Sequence, residues 1–445
     1  MPYQAGKYLP GERASKLGHL EVLKSPLVRE LVKNFEDPSE IELSVPVNWE
    51  SFPSNGEQLD IIFSVDGSIQ TIEDKTPPYK ALAFVKTALM KIDQIGLGRI
   101  DKETPHPFAL RDLMADAALY HATVFPLRHV KVPDLTVYDA VRQTIFESVK
   151  DSSLNGEPME TLKWLVYEKC SGEKKKLEEF QCPHADCGSK HATLPYDAEE
   201  GACPICGNKL YITDMLGFHL DMVENSASDS VGTAYMIIHE TLLLFTGIRF
   251  YWNNNKETLK RCLFFKDGPL QIRAQYSKLV APIRRFLAHA YKIGIPINLV
   301  GQEKTGYFVE HLDLIGRNST AKQLFVPDHK YICEQIQHRP ASGDSYGIDT
   351  NYGAKIFLNL DDRHHFVLSV PLINGERKDM DDFIQNPQID MLIGLPNILA
   401  TLPTLLSNRH ENALLPIELA NSIASLSTYP SAQVLKLFAE ANIKK

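Results

Sequence analysis

The sequence lacks an uninterrupted apolar run that could cross a membrane as a helix, which needs about 20 residues. Its longest apolar stretches are residues 233–247, which contain His239 and Glu240, and residues 391–406, which contain two prolines. The first residues also lack the apolar segment of a secretory signal peptide. We therefore expect a soluble cytoplasmic protein with no membrane association.

The chain also lacks an excess of positive charge. It has 47 Lys and Arg against 56 Asp and Glu, which gives a net charge of −9. Proteins that hold nucleic acid by their overall charge are basic, so binding to DNA would need local contacts or a partner that delivers the strand. A phosphate-binding loop of the Gly-x-x-x-x-Gly-Lys-[Ser/Thr] type is missing too. If ATP is used, we expect a partner to hydrolyse it.

The cysteine pattern does not indicate a disulfide framework, because the count is odd, seven, and four of the seven lie close together in the sequence. Those four form two knuckles, Cys182 with Cys187 and Cys203 with Cys206, separated by fifteen residues. Four thiolates on two tight turns suit tetrahedral Zn²⁺ in a structural site. The first knuckle is longer than usual, so His184 could replace a cysteine ligand, and a module without metal is the remaining alternative.

The 445 residues are enough for two or three domains of mixed helices and strands, which indicates an α/β or α+β class. The apolar patterns predict a strand at residues 59–65, a mainly helical region at 78–150 with helices at Lys80–Ile95 and Val137–Val149, and a buried helix at 233–247. The remaining predicted elements are strands at Arg261–Phe265 and Pro296–Val300, a helix at Ser277–Lys292, a hairpin of Lys355–Leu360 with His365–Leu372, and a helical C-terminal part at 380–445.

Two strand-like apolar runs end in Asp-Gly, at Asp66-Gly67 and at Asp267-Gly268. A carboxylate at the end of a buried strand is a natural ligand for a hard cation, and Gly lets a ligand approach the backbone. Glu240 would be a third carboxylate, since it lies within the apolar helix at 233–247, where burial of an uncompensated charge is costly. The sequence therefore predicts an acidic site for Mg²⁺ or Mn²⁺, unless Glu240 is paired with Lys or Arg.

In this order the motifs resemble the NurA nucleases. The resemblance begins with Asp66-Gly67-Ser68, Glu240 and Asp267-Gly268-Pro269-Leu270. It continues with the strand Asn298-Leu-Val-Gly-Gln-Glu-Lys304, which resembles the family's strand ending in an active-site lysine, and with Pro416-Ile-Glu-Leu-Ala-Asn421, which resembles a Pro-x-x-Leu-Ala-His helix. Asn421 stands where the family has a metal-site histidine, and Asn can still offer an oxygen ligand.

The resemblance implies an α/β, RNase H-like mixed sheet flanked by helices, with a zinc-ribbon insertion and a helical C-terminal part. It divides the chain into an N-terminal arm at 1–55, a nuclease domain at 56–164 and 221–445, and the insertion at 165–220. It implies a Mn²⁺- or Mg²⁺-dependent deoxyribonuclease, with Asp66, Glu240, Asp267, Lys304 and Asn421 as catalytic residues and the first three as metal ligands. Such enzymes are dimers that work with a hexameric HerA-type ATP-driven translocase in DNA end processing or anti-phage defence.

Other interpretations stay open. The chain could be a non-catalytic DNA-binding or adaptor subunit of such a complex, in which the zinc module docks a partner. A guided, Argonaute-like nuclease ranks last, because no guide-anchoring module is evident in the first 60 residues. Weaker candidates for contacts to the strand or for catalysis are Arg273, Arg284, Arg285, His364 and His365.

Overall fold

The structure is a computed structural model that describes residues 22–35, 47–74, 76–93, 118–172, 174–376, 385–407, 412–426 and 431–442. It contains two compact units, Met1–Pro46 and Val47–Lys445. In the first unit the described residues include a short helix, α1 (Pro26–Lys33), which begins after the capping residue Ser25. The second unit carries all the predicted site residues.

Strands occur along the whole sequence of the second unit. They are β1 (Glu50–Ser51), β2 (Ile61–Glu73), β3 (Ala81–Asp93), β4 (Ala118–Arg128), β5 (Glu200–Ala202), β6 (Lys209–Tyr211), β7 (Met222–Val223), β8 (Ser226–Ala227), β9 (Cys262–Asp267), β10 (Asn298–Glu303), β11 (Gln323–Phe325), β12 (Ala354–Asn359) and β13 (His365–Val370).

Helices separate and follow these strands. They are α2 (Val137–Val149), α3 (Glu157–Val166), α4 (Asp229–Asn254), α5 (Lys256–Lys260), α6 (Val280–Lys292), α7 (Tyr307–Ile315), α8 (His329–Tyr331), α9 (Leu395–Thr401), α10 (Leu415–Ala424) and α11 (Ser431–Asn442).

An eleven-stranded mixed sheet forms the centre of the described fold, in the order β1-β11-β12-β13-β10-β9-β2-β3-β4-β8-β7. Strands β2, β3 and β4 form an antiparallel meander. On the other side of β2, β9 pairs with it in parallel, and β10 pairs with β9 in parallel. This arrangement confirms the predicted α/β fold with an RNase H-like mixed sheet, and the hairpin of β12 with β13 is confirmed as well.

Each face of the sheet centre is covered by a different hydrophobic cluster. Phe63, Val65 and Phe264 belong to the cluster that includes residues of α4. Their strand neighbours, such as Ile62 and Phe265, belong to the cluster that includes residues of α10. Because successive side chains of a strand point to opposite faces, α4 and α10 lie on opposite sides of β2.

The predicted buried helix is confirmed in α4, which is longer than the prediction. By length and composition α4 could cross a membrane, but 83% of its apolar window is buried inside the fold. A helix that is apolar around most of its surface is expected in such a position. The burial of α4 is that of a core helix in a soluble domain.

Part of the predicted secondary structure is wrong. Lys80–Ile95 was predicted as helix, but residues 81–93 form β3, which pairs with β2 along thirteen residues. Within the predicted helical region 78–150, Ala118–Arg128 is also a strand, whereas the predicted helix Val137–Val149 is confirmed with both bounds. The apolar spacing of 80–95 fits both periods, and pairing with two long neighbouring strands decides the outcome.

The prediction that Asp66 ends a strand is also wrong. Asp66 and Gly67 lie in the middle of β2, which continues to Glu73. By contrast, Asp267 is the last residue of β9, as predicted. The two motifs therefore look alike in sequence but differ in structure.

Candidate functional site

Asp66 and Asp267 lie on neighbouring parallel strands and on the same face of the sheet. Val65 is paired with Lys266 in the register of β2 and β9, so the next residue of each strand, Asp66 and Asp267, points to the opposite face, which α10 covers. Asp66 is 7% exposed, and the Gly67 backbone N–H donates to its Oδ1 at 2.7 Å. Two carboxylates are thus held side by side near the centre of the sheet.

Glu240 reaches the same place from the other face of the sheet. It lies in α4, is buried, and approaches β2 where Gly67 has no side chain. A Cβ atom added to Gly67 would lie 2.4 Å from Glu240 Oε1 and 2.6 Å from Met236 Cγ. The glycine of the first motif therefore provides the space through which the helix carboxylate comes close to Asp66.

Two lysines neutralise two of the three carboxylates. Lys266 Nζ lies 3.2 Å from Glu240 Oε2, and both side chains are buried. Lys304, which follows β10 directly, donates to Asp267 Oδ2 at 2.7 Å. In the described part of the chain, no Lys, Arg or His forms an ion pair with Asp66. Glu240 is thus paired with a lysine, which is the alternative considered for it, and it also lies near Asp66.

The pKa of Asp66, the carboxylate without an ion pair, is raised. Burial, together with the charges of Asp267 and Glu240, raises the pKa of Asp66 to about 8, although the Gly67 N–H and Lys304 oppose the shift. Burial also raises the pKa of Glu240, against the opposing charge of Lys266. Asp66 is therefore the carboxylate of this group that most needs a proton or a cation.

The three carboxylates do not form a closed ligand set in the structure. Among the described residues, the four predicted cysteines are the one group of three or more His, Cys, Asp or Glu whose ligand atoms all lie within 4.8 Å of one another. Lys266 and Lys304 hold Glu240 and Asp267, and repulsion between like charges favours separation. Oxygen donors of this type, from two strands and a helix, fit a hard cation that would draw them together.

Lys304 and Asn421 line one cavity of about 520 Å³ between the end of β10 and α10. Asn421 is exposed, and in α10 it lies one turn after Glu418, which lines the same cavity. The structure therefore brings the fourth and fifth predicted site residues together.

Three of the weaker candidates, Arg284, Arg285 and His364, have partners outside the acidic site. Arg284 is buried and donates to the backbone carbonyls of residues 347, 348 and 351, and Arg285 bonds Glu168 and Glu178. His364 Nδ1 lies 2.8 Å from Asp361 Oδ1, whereas His365 lines the cavity beside Lys304. Arg273 is exposed. The two buried or half-buried arginines stabilise the fold through these bonds.

The four cysteines form a second candidate site. Cys203 and Cys206 lie in the turn between β5 and β6. Cys182 Sγ is 3.9 Å from Cys206 Sγ, and Cys187 Sγ is the same distance from Cys203 Sγ. His184 lies apart from this group, because its Nε2 contacts the Lys209 carbonyl oxygen at 2.9 Å. Burial opposes the ionisation of Cys203, but the N–H groups of Cys206 and Ile205 lower the pKa of its thiol to about 7. This geometry is compatible with a four-thiolate metal centre.

Sequence reasoning gave no role to Lys266, Gln302 and Glu418. Lys266 had a detectable signal, since it is a lone charge in the apolar run of β9. Gln302 is likewise a polar residue at the buried end of a strand. Glu418 has no comparable signal, because a glutamate in the first turn of a helix is ordinary.

Comparison with known proteins finds likeness among solved structures. No protein-family model and no curated protein matches this chain. A solved structure titled "Crystal structure of NurA" aligns with 97% of this chain and 98% of its own, at 11% sequence identity and a TM-score of 0.31. NurA is also the family that the sequence motifs resemble. At this level the likeness carries no information about the side chains of the site.

Gly67→Ala tests the close approach of Glu240. We expect the free energy of unfolding to fall by about 1–3 kcal/mol, because the new methyl group would overlap Glu240 and Met236 and force them to shift. Urea denaturation measures the change.

The matched control is Gly247→Ala within α4. A Cβ atom there would meet its neighbours at 3.6–3.7 Å, which is ordinary contact, and alanine favours a helix by up to about 1 kcal/mol over glycine. A Gly67 variant as stable as the wild type would contradict the described approach of Glu240.

Proposed function

We propose that the protein is a metal-dependent deoxyribonuclease. The observation that carries the proposal is the group of the buried Asp66 and Glu240 with the partly exposed Asp267, three carboxylates brought together from two parallel strands and one helix. Burial of like charges is costly unless a cation compensates, and one of the three, Asp66, has no described cationic partner. Such sites are kept for function more often than for stability.

Each residue of the site has a different proposed role in the reaction. A divalent cation bound by Asp66 and Asp267 would supply Lewis acidity and lower the pKa of a bound water for attack on a phosphodiester. Lys304, which is partly exposed and contacts Asp267, is placed to bind a phosphate of the strand. Lys266 holds Glu240 in its buried position beside Gly67. Asn421 offers an amide on the opposite wall of the cavity.

The second metal site is proposed as structural zinc. Four sulfur ligands without an open position suit a site that stabilises a fold and does no chemistry. Cys182 and Cys203 belong to the same hydrophobic cluster as Val65 and residues of α4. The module would therefore be anchored on the main fold, and zinc would fix its two turns.

A non-catalytic adaptor is the second candidate. It is favoured by the fact that Glu240 and Asp267 already have lysine partners, so two of the three carboxylates are balanced without a metal. Asn421, where the resembled family has histidine, points in the same direction. Cleavage of linear DNA by the purified chain in the presence of Mn²⁺ separates the two candidates.

Asp267→Asn tests the nuclease. We expect Mn²⁺-dependent cleavage of linear DNA to fall by at least about 100-fold, because loss of even an outer partner of a metal site costs up to that factor. Cleavage is measured on a labelled duplex. Circular dichroism and zinc content should stay unchanged.

The control for this substitution is Asp362→Asn, which changes an exposed carboxylate in the turn between β12 and β13. It should keep full activity. Full cleavage by the Asp267 variant would rule out the proposed site.

The raised pKa of Asp66 predicts a pH dependence. The folded state holds a proton between the ordinary carboxyl pKa of 3.8 and about 8, whereas the unfolded state does not. Without metal, this contribution to stability is therefore complete below the lower value and is lost as pH rises through the higher one. Metal and proton compete for Asp66, so the rise in melting temperature on adding Mn²⁺ should grow from about pH 6 to about pH 9.

Differential scanning fluorimetry in EDTA and in Mn²⁺ measures both effects. Asp66→Asn is the control, since an amide does not titrate and the variant should lose the pH-dependent part of the Mn²⁺ response. The same Mn²⁺ response at both pH values in the wild type would contradict a protonated Asp66.

The cysteine module predicts about one zinc ion per chain. Cys203→Ser should lose the metal and become easier to cleave by protease in residues 180–210, because the metal closes these turns. Mass spectrometry for metals and limited proteolysis are the measurements. Cys170→Ser, outside the cluster, should keep its zinc. Zinc-free wild-type protein, purified without chelator, would refute the site.

We also propose that the nuclease works as a homodimer on a HerA-type hexameric translocase. The support is the sequence resemblance and the net charge of −9, which gives the chain little attraction for DNA on its own. Sedimentation should show a dimer, and an ATPase partner should strongly stimulate cleavage. A strict monomer with full activity alone would contradict this assembly.

A further inference from the structure

The cavity beside Lys304 has an interior whose polar groups are not used by the proposed chemistry. Its volume of about 520 Å³ falls in the range of small-molecule sites. Its inner wall includes Gln302 from β10 and Glu418 from α10, and its rim includes Lys304, which contacts Asp267. Lys304 therefore lines this cavity and also contacts a carboxylate of the acidic site.

Gln302 presents an unpaired acceptor at this cavity. The side chain is 1% exposed, and its Nε2 donates to the Asn412 carbonyl oxygen at 2.8 Å. That bond fixes the orientation of the amide, because the reverse orientation would place two oxygens against each other. Its Oε1 has no hydrogen-bond partner among the described residues. A buried acceptor of this kind costs free energy unless a donor meets it.

The carboxylate of Glu418 has two more unpaired acceptor oxygens. Both of its carboxylate oxygens are enclosed, and neither has a partner within the described part of the chain. The other carboxylate near the inner wall, Glu303, is neutralised by an ion pair with the buried Lys355. Two of the residues that line the cavity, Gln302 and Glu418, thus carry unpaired acceptor oxygens.

We infer that this cavity receives the base of the nucleotide whose phosphate lies at Lys304, and that it selects bases with an exocyclic amino group. The inference rests on the proposed nuclease function, which supplies the phosphate position. Adenine, cytosine and guanine each carry an exocyclic amino group, which can donate two hydrogen bonds to glutamate and glutamine oxygens. Thymine has a single N–H donor, which lies between two carbonyl oxygens that the same acceptors repel. Lys304 lies at the rim of the cavity and the acceptors lie inside it. This arrangement matches a nucleotide with its phosphate at Lys304 and its base inward.

The polar side chains that line this cavity favour an organic ligand over a metal ion. The His, Asp and Glu side chains that line the cavity do not include three described ligand atoms within 4.8 Å of one another. The acidic site has three carboxylates, whereas the enclosed unpaired acceptors of this cavity belong to one carboxylate and one amide, which are few ligands for a hard cation. The cavity volume and the separate acceptors instead suit a group the size of a base.

The test is binding of dAMP, dCMP, dGMP and dTMP to the full-length chain in EDTA, measured by isothermal titration calorimetry. Without divalent metal the measurement does not depend on cleavage. We expect dTMP to bind about tenfold more weakly than the nucleotides with amino groups, as for one good hydrogen-bonding pair. Glu418→Leu should remove this discrimination, and Glu418→Gln should reduce it.

Glu147→Gln, at an exposed position of α2, is the control and should leave the four affinities unchanged. Equal binding of all four nucleotides by the wild type would overturn the inference without any variant. The same discrimination in Glu418→Leu would overturn it too.

The two proposals can fail separately. Cleavage of DNA in Mn²⁺ together with equal nucleotide binding would leave the nuclease and remove the base site. Base discrimination in a chain that cuts no DNA would keep the base site and remove the nuclease.

Discussion

The main constraint on this structure is the repulsion among three carboxylates that lie close together at the centre of the sheet. Asp66, Glu240 and Asp267 repel one another, and burial strengthens the repulsion by removing water. Lys266 and Lys304 each hold one carboxylate, at 3.2 Å and 2.7 Å. Asp66 has no such ion pair, and burial together with the charges of Asp267 and Glu240 raises its pKa. Asp66 is thus the carboxylate of the three that has no ion pair among the described residues.

The sheet and its two covering helices place these charges. Parallel pairing of β2 with β9 brings the two aspartates onto one face, and α4 carries Glu240 on the other. Gly67 removes the side chain that would otherwise separate the two faces of the site. Strand β10 adds Gln302 and Lys304 beside Asp267. Lys304 is thus exposed beside the site, and the neighbouring cavity is lined by Gln302 and Glu418, whose side chains carry unpaired acceptors.

Features with strong local patterns were predictable. The apolar surface of α4 predicted a buried helix, and the spacing of the four cysteines predicted their cluster. The strand β3 was not predictable from its own residues, because its apolar spacing fits a helix as well as a strand. Pairing with β2 and β4 decides its structure, and a single segment does not contain that information.

The amino-acid sequence establishes which chemical groups are present: three carboxylates in apolar segments, a lysine after a strand, and four cysteines on two turns. The partners of these groups depend on the tertiary structure. The salt bridge of Lys266 with Glu240 joins a strand to a helix, and the unpaired oxygens of Glu418 and Gln302 meet one cavity from α10 and β10. Such contacts depend on strand register and helix placement, which arise from long-range packing and not from the local pattern of residues.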